Sequence, residues 1–292
     1  MKPPAITGVP DTAFMVAAWR AVESERPDAL FRDPYAVSLA GARGLALADH
    51  LSANQMGRWQ VVVRTVIIDR MVRAAVEAGA TTVLNLGAGL DARPYRLDWP
   101  SSLRWIEVDF PEVIAWKDQR LQGATPTCRL ERVPLDLTDT TARRSLFARA
   151  GADSARTLVL TEGVVPYLTN EAVGALADDL RRIRGAQWIV DYISPEAVRF
   201  RKRLRVSRQM RAAPFQFAPP DWFDFFEAHG WRPRNINYLP IEARQLGRPA
   251  PLPRWIRLAM RATRWLRPAS ALDGFRKSIA YVLLEPLSEK QM

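Results

Sequence analysis

The chain has 292 residues, 48% hydrophobic and 25% charged, which suits a globular protein with a buried core and fits one large α/β domain. A single cysteine, Cys128, excludes an intrachain disulfide, and two distant histidines, His50 and His229, leave no cluster with metal-ligand spacing. The formal net charge of +11 lies wholly after residue 192: residues 1–192 hold 23 basic and 23 acidic side chains, residues 193–292 hold 19 and 8.

Apolar positions at helical spacing (Val62, Val66, Met71, Val72, Val76) predict a helix over 56–78, stopped by Gly79, with Asp69 on the opposed face. Thr82–Leu86 is short, β-branched and apolar, as a buried parallel strand should be, and Gly87-Ala88-Gly89-Leu90-Asp91 follows as a tight loop. Leu103–Asp109 reads as a second strand, Pro111–Leu121 as a helix with proline in its first turn, Arg129–Leu135 as a third strand and Thr157–Thr161 as a fourth. Thr169 caps a helix that runs to Ile183. Gln187–Ile193 is a fifth strand, Trp222–His229 a helix ended by Gly230, and Arg234–Leu239 and Ser278–Glu285 are two last strands. Strands separated by helices mean βαβ units, so a Rossmann-like α/β fold is expected, with a seven-stranded, mostly parallel sheet and an antiparallel strand added at one edge. No apolar run approaches the ~18 residues a membrane span needs. The opening Met1-Lys2-Pro3-Pro4 lacks the apolar core of a signal peptide, and the expected location is cytoplasmic.

The glycine loop after the first strand lets the backbone turn sharply and lets a ligand approach closely. Asp109 ends the second strand 22 residues after Gly87, where an acid can take both ribose hydroxyls of an adenosine. NAD is the competing cofactor, since Gly87-x-Gly89-x-x-Ala92 also fits the dinucleotide pattern. Asp91 inside the loop would repel a pyrophosphate, whereas S-adenosylmethionine carries a sulfonium and an ammonium. The loop also starts late in the chain, after predicted helices. Both points favour S-adenosylmethionine.

Four runs then resemble the leucine carboxyl methyltransferase group, in its bacterial branch of S-adenosylmethionine-dependent methyltransferases that includes polyketide O-methyltransferases. They are Leu84–Arg96 (LNLGAGLDARPYR), Val108-Asp109-Phe110-Pro111-Glu112-Val113, Pro134-Leu135-Asp136-Leu137 and Thr161–Leu168 (TEGVVPYL). The resemblance covers roughly residues 10–240 and is weakest over 195–275. It implies a class I methyltransferase in one domain: an N-terminal helical cap (1–80), a cofactor-binding core (81–193), a substrate lid with strand six (194–275), and a final strand and tail (276–292). It further implies that Gly87 and Gly89 line the methionine moiety and that Asp109 binds the ribose. Asp136 and Leu137 would flank the adenine, Arg64 would pair with the methionine carboxylate, and Glu162 would face the sulfonium or amino end. The competing readings are a surface helix position for Arg64, a turn residue for Asp136 and a strand-end residue for Glu162.

Methyl transfer is an in-line displacement on an already activated methyl, so the protein mainly positions and shields. A carboxylate acceptor needs no base, while a phenol of pKa about 10 gains from one. No histidine is placed as a base, since His229 sits at a predicted helix end. This favours a carboxylate or an acidic hydroxyl of a small molecule, such as a natural product of secondary metabolism or a carrier-bound one. Tyr167 and Tyr192, at or just after strands four and five, are the candidate acceptor-side residues; packing beneath the lid is their alternative. Arg199–Arg211 holds seven Arg or Lys in thirteen residues, and Arg254, Arg257, Arg261 and Arg264 recur at helical spacing. An anionic substrate, an acidic carrier protein or a membrane surface would match this charge, as would a solvated helix face. A nucleic-acid methyltransferase is the rival, but the Asn/Asp-Pro-Pro-Tyr run of amino-methylating enzymes is absent, so no nucleic acid is expected. A basic binding protein without turnover is the non-enzymatic alternative.

Overall fold

A computed structural model describes residues 9–50, 54–152, 154–203, 214–252, 274 and 276–287. Two helices open the described chain, α1 (Val9–Ser24) and α2 (Ala36–His50), before the long α3 (Gln55–Glu77). Seven strands follow: β1 (Thr82–Leu86), β2 (Arg104–Asp109), β3 (Arg129–Pro134), β4 (Thr157–Thr161), β5 (Gln187–Ile193), β6 (Trp231–Tyr238) and β7 (Ile279–Pro286). Between them lie α4 (Arg93–Arg96), α5 (Pro111–Arg120), α6 (Thr140–Ala152), α7 (Asn170–Leu180), α8 (Pro195–Arg203), α9 (Trp222–Ala228) and α10 (Leu239–Gln245).

The strands form one sheet in the order β3-β2-β1-β4-β5-β7-β6, with β1 to β5 parallel and β7 antiparallel to both β5 and β6. The fold is thus a mostly parallel, Rossmann-like α/β sheet. The antiparallel strand was expected at an edge; instead β7 sits inside and β6 forms the edge. The residues explain the exchange. Ala280, Tyr281, Val282 and Leu284 of β7 are buried, whereas Pro233, Arg234 and Asn235 of β6 are exposed. The register of β6 shifts between Pro233 and Asn235, an irregularity that a proline without an N–H tolerates at a free edge.

β1 and β4 are buried at every position, as strands covered on both faces must be. One core cluster covers the α7 and α9 face, with Leu84, Leu176, Trp188 and Phe226. A second covers the α3 and α10 face, with Ile67, Val83, Leu160 and Tyr281. A third, with Trp19, Leu39, Leu90 and Val113, seats α1 and α2 over the loop after β1. Arg20 fastens this cap: its Nε donates to Asp33 at 2.9 Å, and a terminal nitrogen donates to the Leu90 carbonyl at 2.5 Å. The chain runs β1-β2-β3 to one side and then jumps back to β4 on the other, so a crevice opens at the carboxyl ends of β1 and β4. Among the described residues no helix is long and apolar enough to cross a membrane. The span expected as a lid holds α8, the loop 214–221, α9, β6 and α10 among its described residues; residues 204–213 and 253–273, which carry most of the two basic runs, lie outside the described residues.

Candidate active site

A cavity of about 600 Å³ fills that crevice, within the range of small-molecule sites. It is lined by Arg64, Gly87, Gly89, Asp109, Asp136, Leu137, Glu162 and Tyr167, eight of the nine side chains singled out in the sequence. Tyr192 is not brought there. Side chains alternate across a strand, so Tyr192 points to the face opposite its neighbour Asp191. Its ring lies 5.4 Å from Trp222 and 5.4 Å from Phe223, inside an aromatic cluster.

The loop after β1 is shaped by glycine. Gly87 has φ +64°, and a Cβ there would stand 2.4 Å from Val164 Cγ2. Gly89 has φ +49°, and its N–H donates to Asp109 Oδ2 at 2.6 Å. Asp109 Oδ1 accepts from the N–H of Phe110 at 2.8 Å. Burial pushes the Asp109 carboxyl above its ordinary range against the pull of these two N–H groups. Each oxygen keeps a lone pair for a further donor. Asp136 is both a turn residue and a wall: its Oδ1 accepts from Thr138 N at 2.8 Å while the residue lines the cavity.

The floor of the cavity is an ion cluster spanning α3, the loop, α4 and the end of β4. Arg93, 2% exposed, reaches Asp69 Oδ1 at 2.7 Å, Asp91 Oδ2 at 2.9 Å and Glu162 Oε2 at 2.8 Å. Arg64 Nε lies 2.7 Å from Glu162 Oε1, and Arg96 holds Asp69 at 2.7 Å. Three carboxylates meet three guanidiniums. Burial raises the Glu162 carboxyl, but Arg93 and Arg64 outweigh it and hold the group below the usual range. Asp91 is likewise held low by Arg93 against burial. This corrects two expectations. Asp69 is not on an exposed helix face, because α3 is buried on most sides and Asp69 serves Arg93 and Arg96. Asp91 is no free repulsive charge, because Arg93 and Asn85 consume it.

Two further groups escaped the sequence reading. Arg93 lies within the glycine-loop run, but its partners are scattered from Asp69 to Glu162. Asp191 is 8% exposed at the end of β5, lines the cavity, and accepts from Gly163 N at 2.8 Å through Oδ2. Burial and the nearby Glu162 push its carboxyl up to about 7, against the pull of Arg64. A polar residue inside the apolar run of β5 was the available signal. His229 caps α9 at its C-terminus, with Nδ1 2.8 Å from Asp178, and does not line the cavity. Among the described residues no group of His, Cys, Asp or Glu is arranged to hold a metal.

The family model for leucine carboxyl methyltransferase matches residues 13–181. A relative from Mycobacterium avium (strain 104), named "Putative S-adenosyl-L-methionine-dependent methyltransferase", is 35% identical over 267 residues, covering 82% of this chain and 84% of its own. One of the same name from Parafrankia sp. (strain EAN1pec) is 36% identical over 263 residues, covering 84% and 83%. The crystal structure titled "putative methyltransferase from Thermobifida fusca YX" shares the fold, with a TM-score of 0.60 at 14% identity over 94% of both chains. The family match runs through β1 to β4, the glycine loop and the acid that ends β2. The chain therefore belongs to the leucine carboxyl methyltransferase family, among the S-adenosylmethionine-dependent methyltransferases.

Proposed function

We propose that this protein is an O-methyltransferase that moves the S-adenosylmethionine methyl group to a carboxylate or acidic hydroxyl of a small molecule, free or carrier-bound. The observation that carries the reading is the continuity of the cavity. The same cavity is lined by Asp109 and Asp136, by Gly87 and Gly89, and by Glu162, Tyr167 and Asp191. The residues fit the cofactor: Gly87 and Gly89 present bare backbone to the cavity, and Asp109 has acceptor capacity left for two ribose hydroxyls. When bound, the cofactor supplies an electrophilic methyl on a sulfonium.

The chain's own residues do the rest in this reading. Asp109 holds the ribose, Asp136 and Leu137 border the adenine, and Gly87 and Gly89 let the backbone approach the methionine part. Glu162, fixed by two arginines, presents a carboxylate to the amino or sulfonium end, and Arg64 reaches the methionine carboxylate. Residues 194–199, 214–252 and β7 supply the acceptor side, where Tyr167 meets Phe215 edge to face at 5.1 Å. The basic excess after residue 192 supports an anionic substrate or an acidic carrier protein.

Calorimetric titration tests the cofactor assignment. The wild type is expected to bind S-adenosylmethionine and not NAD. Asp109→Ala is expected to lose about 2–4 kcal/mol of that binding, the worth of one or two hydrogen bonds to a charged group. Binding of NAD in place of S-adenosylmethionine would overturn the reading.

A further inference from the structure

Beside the cofactor cavity lies a second one of about 310 Å³, and the two share Pro166, Asp191, Ile193 and Phe215. The rest of its wall is mostly apolar: Val198, Phe217, Ala218, Pro219, Pro220 and Trp222, with Arg199 at its border. Trp222 is 4% exposed, and among the described residues its indole N–H has no acceptor. A buried donor without a partner is costly, and a ligand oxygen would relieve it. Asp191 is thus the carboxyl at the doorway between a cofactor site and an aromatic, proline-lined chamber.

Resting on the methyltransferase reading above, we propose that the second cavity takes a planar aromatic acceptor by a neutral hydroxyl, and that Asp191 is the catalytic residue that receives the hydroxyl proton. Charge decides against a carboxylate at this spot. Asp191 faces Glu162 and the Gly163 N–H from the end of β4, Arg64 from α3 and Tyr281 from β7, with Tyr167 and Arg199 on the cavity walls. Arg64, the cation that lowers this carboxyl, is already paired with Glu162 at 2.7 Å. A carboxylate acceptor would set a second negative charge against Asp191, whose cation Arg64 is already shared with Glu162. A hydroxyl adds none and donates a hydrogen bond. In the transfer, the hydroxyl O–H bond breaks and its proton passes to the Asp191 carboxylate. The oxygen forms a bond to the methyl carbon, the sulfur–methyl bond breaks with its electron pair left on sulfur, and Asp191 later releases the proton to water. Burial sets the Asp191 carboxyl near 7, so at neutral pH it is part ionised and can take a proton from a phenol.

Binding separates this from a merely structural carboxyl without relying on turnover. The probes are 2-naphthol, neutral, and 2-naphthoate, anionic, between about pH 5.5 and 8.5. Each is titrated into wild type and Asp191→Asn, both saturated with S-adenosylhomocysteine. In wild type, 2-naphthol is expected to bind about tenfold tighter at the upper pH than at the lower, the size of one hydrogen bond to an ionised carboxylate. 2-Naphthoate is expected to weaken over the same range as Asp191 ionises. Both slopes flatten in Asp191→Asn, which keeps an acceptor for the Gly163 N–H. In wild type, kcat/KM with 2-naphthol rises through about pH 7, and in Asp191→Asn it follows the acceptor's own ionisation. Parallel slopes for the two probes, slopes unchanged in the variant, or no binding of 2-naphthol to the wild type would overturn the proposal. Failure of the wild type to bind S-adenosylmethionine strikes the proposed function instead, so the two failures are read apart.

Discussion

The two ends of the site treat charge in opposite ways. In the ion cluster on the cavity floor each carboxylate is matched: Arg93 alone holds Asp69, Asp91 and Glu162, and Arg64 and Arg96 complete the set. At the acceptor end Asp191 has one backbone donor and shares Arg64 with Glu162. The first arrangement fixes ionisation and geometry, and the carboxyls of Asp91 and Glu162 sit low. The second leaves a carboxyl whose charge responds to pH near neutrality. Saturated pairing makes a scaffold, and a deficit of pairing makes a group able to exchange a proton.

The strongest way to break the contrast is Arg93→Met. It leaves Asp91 buried without a paired guanidinium and takes one of two from Asp69 and from Glu162, and a loss of about 3–5 kcal/mol, or failure to fold, is expected in urea unfolding. Gly87→Ala comes next. The positive φ and the approach to Val164 predict a cost of about 1–3 kcal/mol, seen as weakened S-adenosylmethionine binding by calorimetry with little change in the far-UV spectrum. Asp191→Asn sharpens the comparison through stability. The carboxyl's ordinary value is 3.8 and its folded value about 7, so the folded state binds the proton more tightly. That stabilisation is full below about pH 3.8 and is lost as pH rises through about 7. Tm of the variant relative to wild type is therefore expected to climb between those two values, and a flat difference would show that Asp191 is ionised throughout. The smallest effect belongs to Tyr192→Phe. The hydroxyl sits in an aromatic cluster outside the cavity, so stability should change by less than about 1 kcal/mol and ligand binding not at all.

The parts of the fold carried by local pattern were legible in the sequence. β1, β4 and β5 begin and end where their apolar runs do, and Thr169 caps α7 by accepting from Ala172 N. β6 starts three residues earlier than its pattern suggested, because Pro233 masks the start of an edge strand that tolerates it. α6 was not read, since only Arg143, Leu146, Phe147 and Ala150 of its thirteen residues are buried. That Gly87, Gly89, Asp109 and Asp136 would gather in one cavity was legible because they end or follow strands at fixed spacing. The acceptor end was legible only in part. One residue of strand phase separates Tyr192, turned into the aromatic cluster, from Asp191, turned into the cavity, and the partners of Arg93 come from α3, the loop and β4, a grouping no local spacing reveals.

The placement of β7 bears on how the molecule is made. β5 and β6 are both synthesised before the strand that joins them, so each leaves the ribosome with an open edge toward the space β7 will fill. Tyr281, which faces Arg64 and Asp191, arrives with that same strand. The cofactor half of the sheet can therefore assemble while translation continues, but the acceptor half closes only after residue 286 has emerged. Nascent chains stalled between β6 and β7 would expose two unpaired strand edges and depend on chaperones more than the finished protein does.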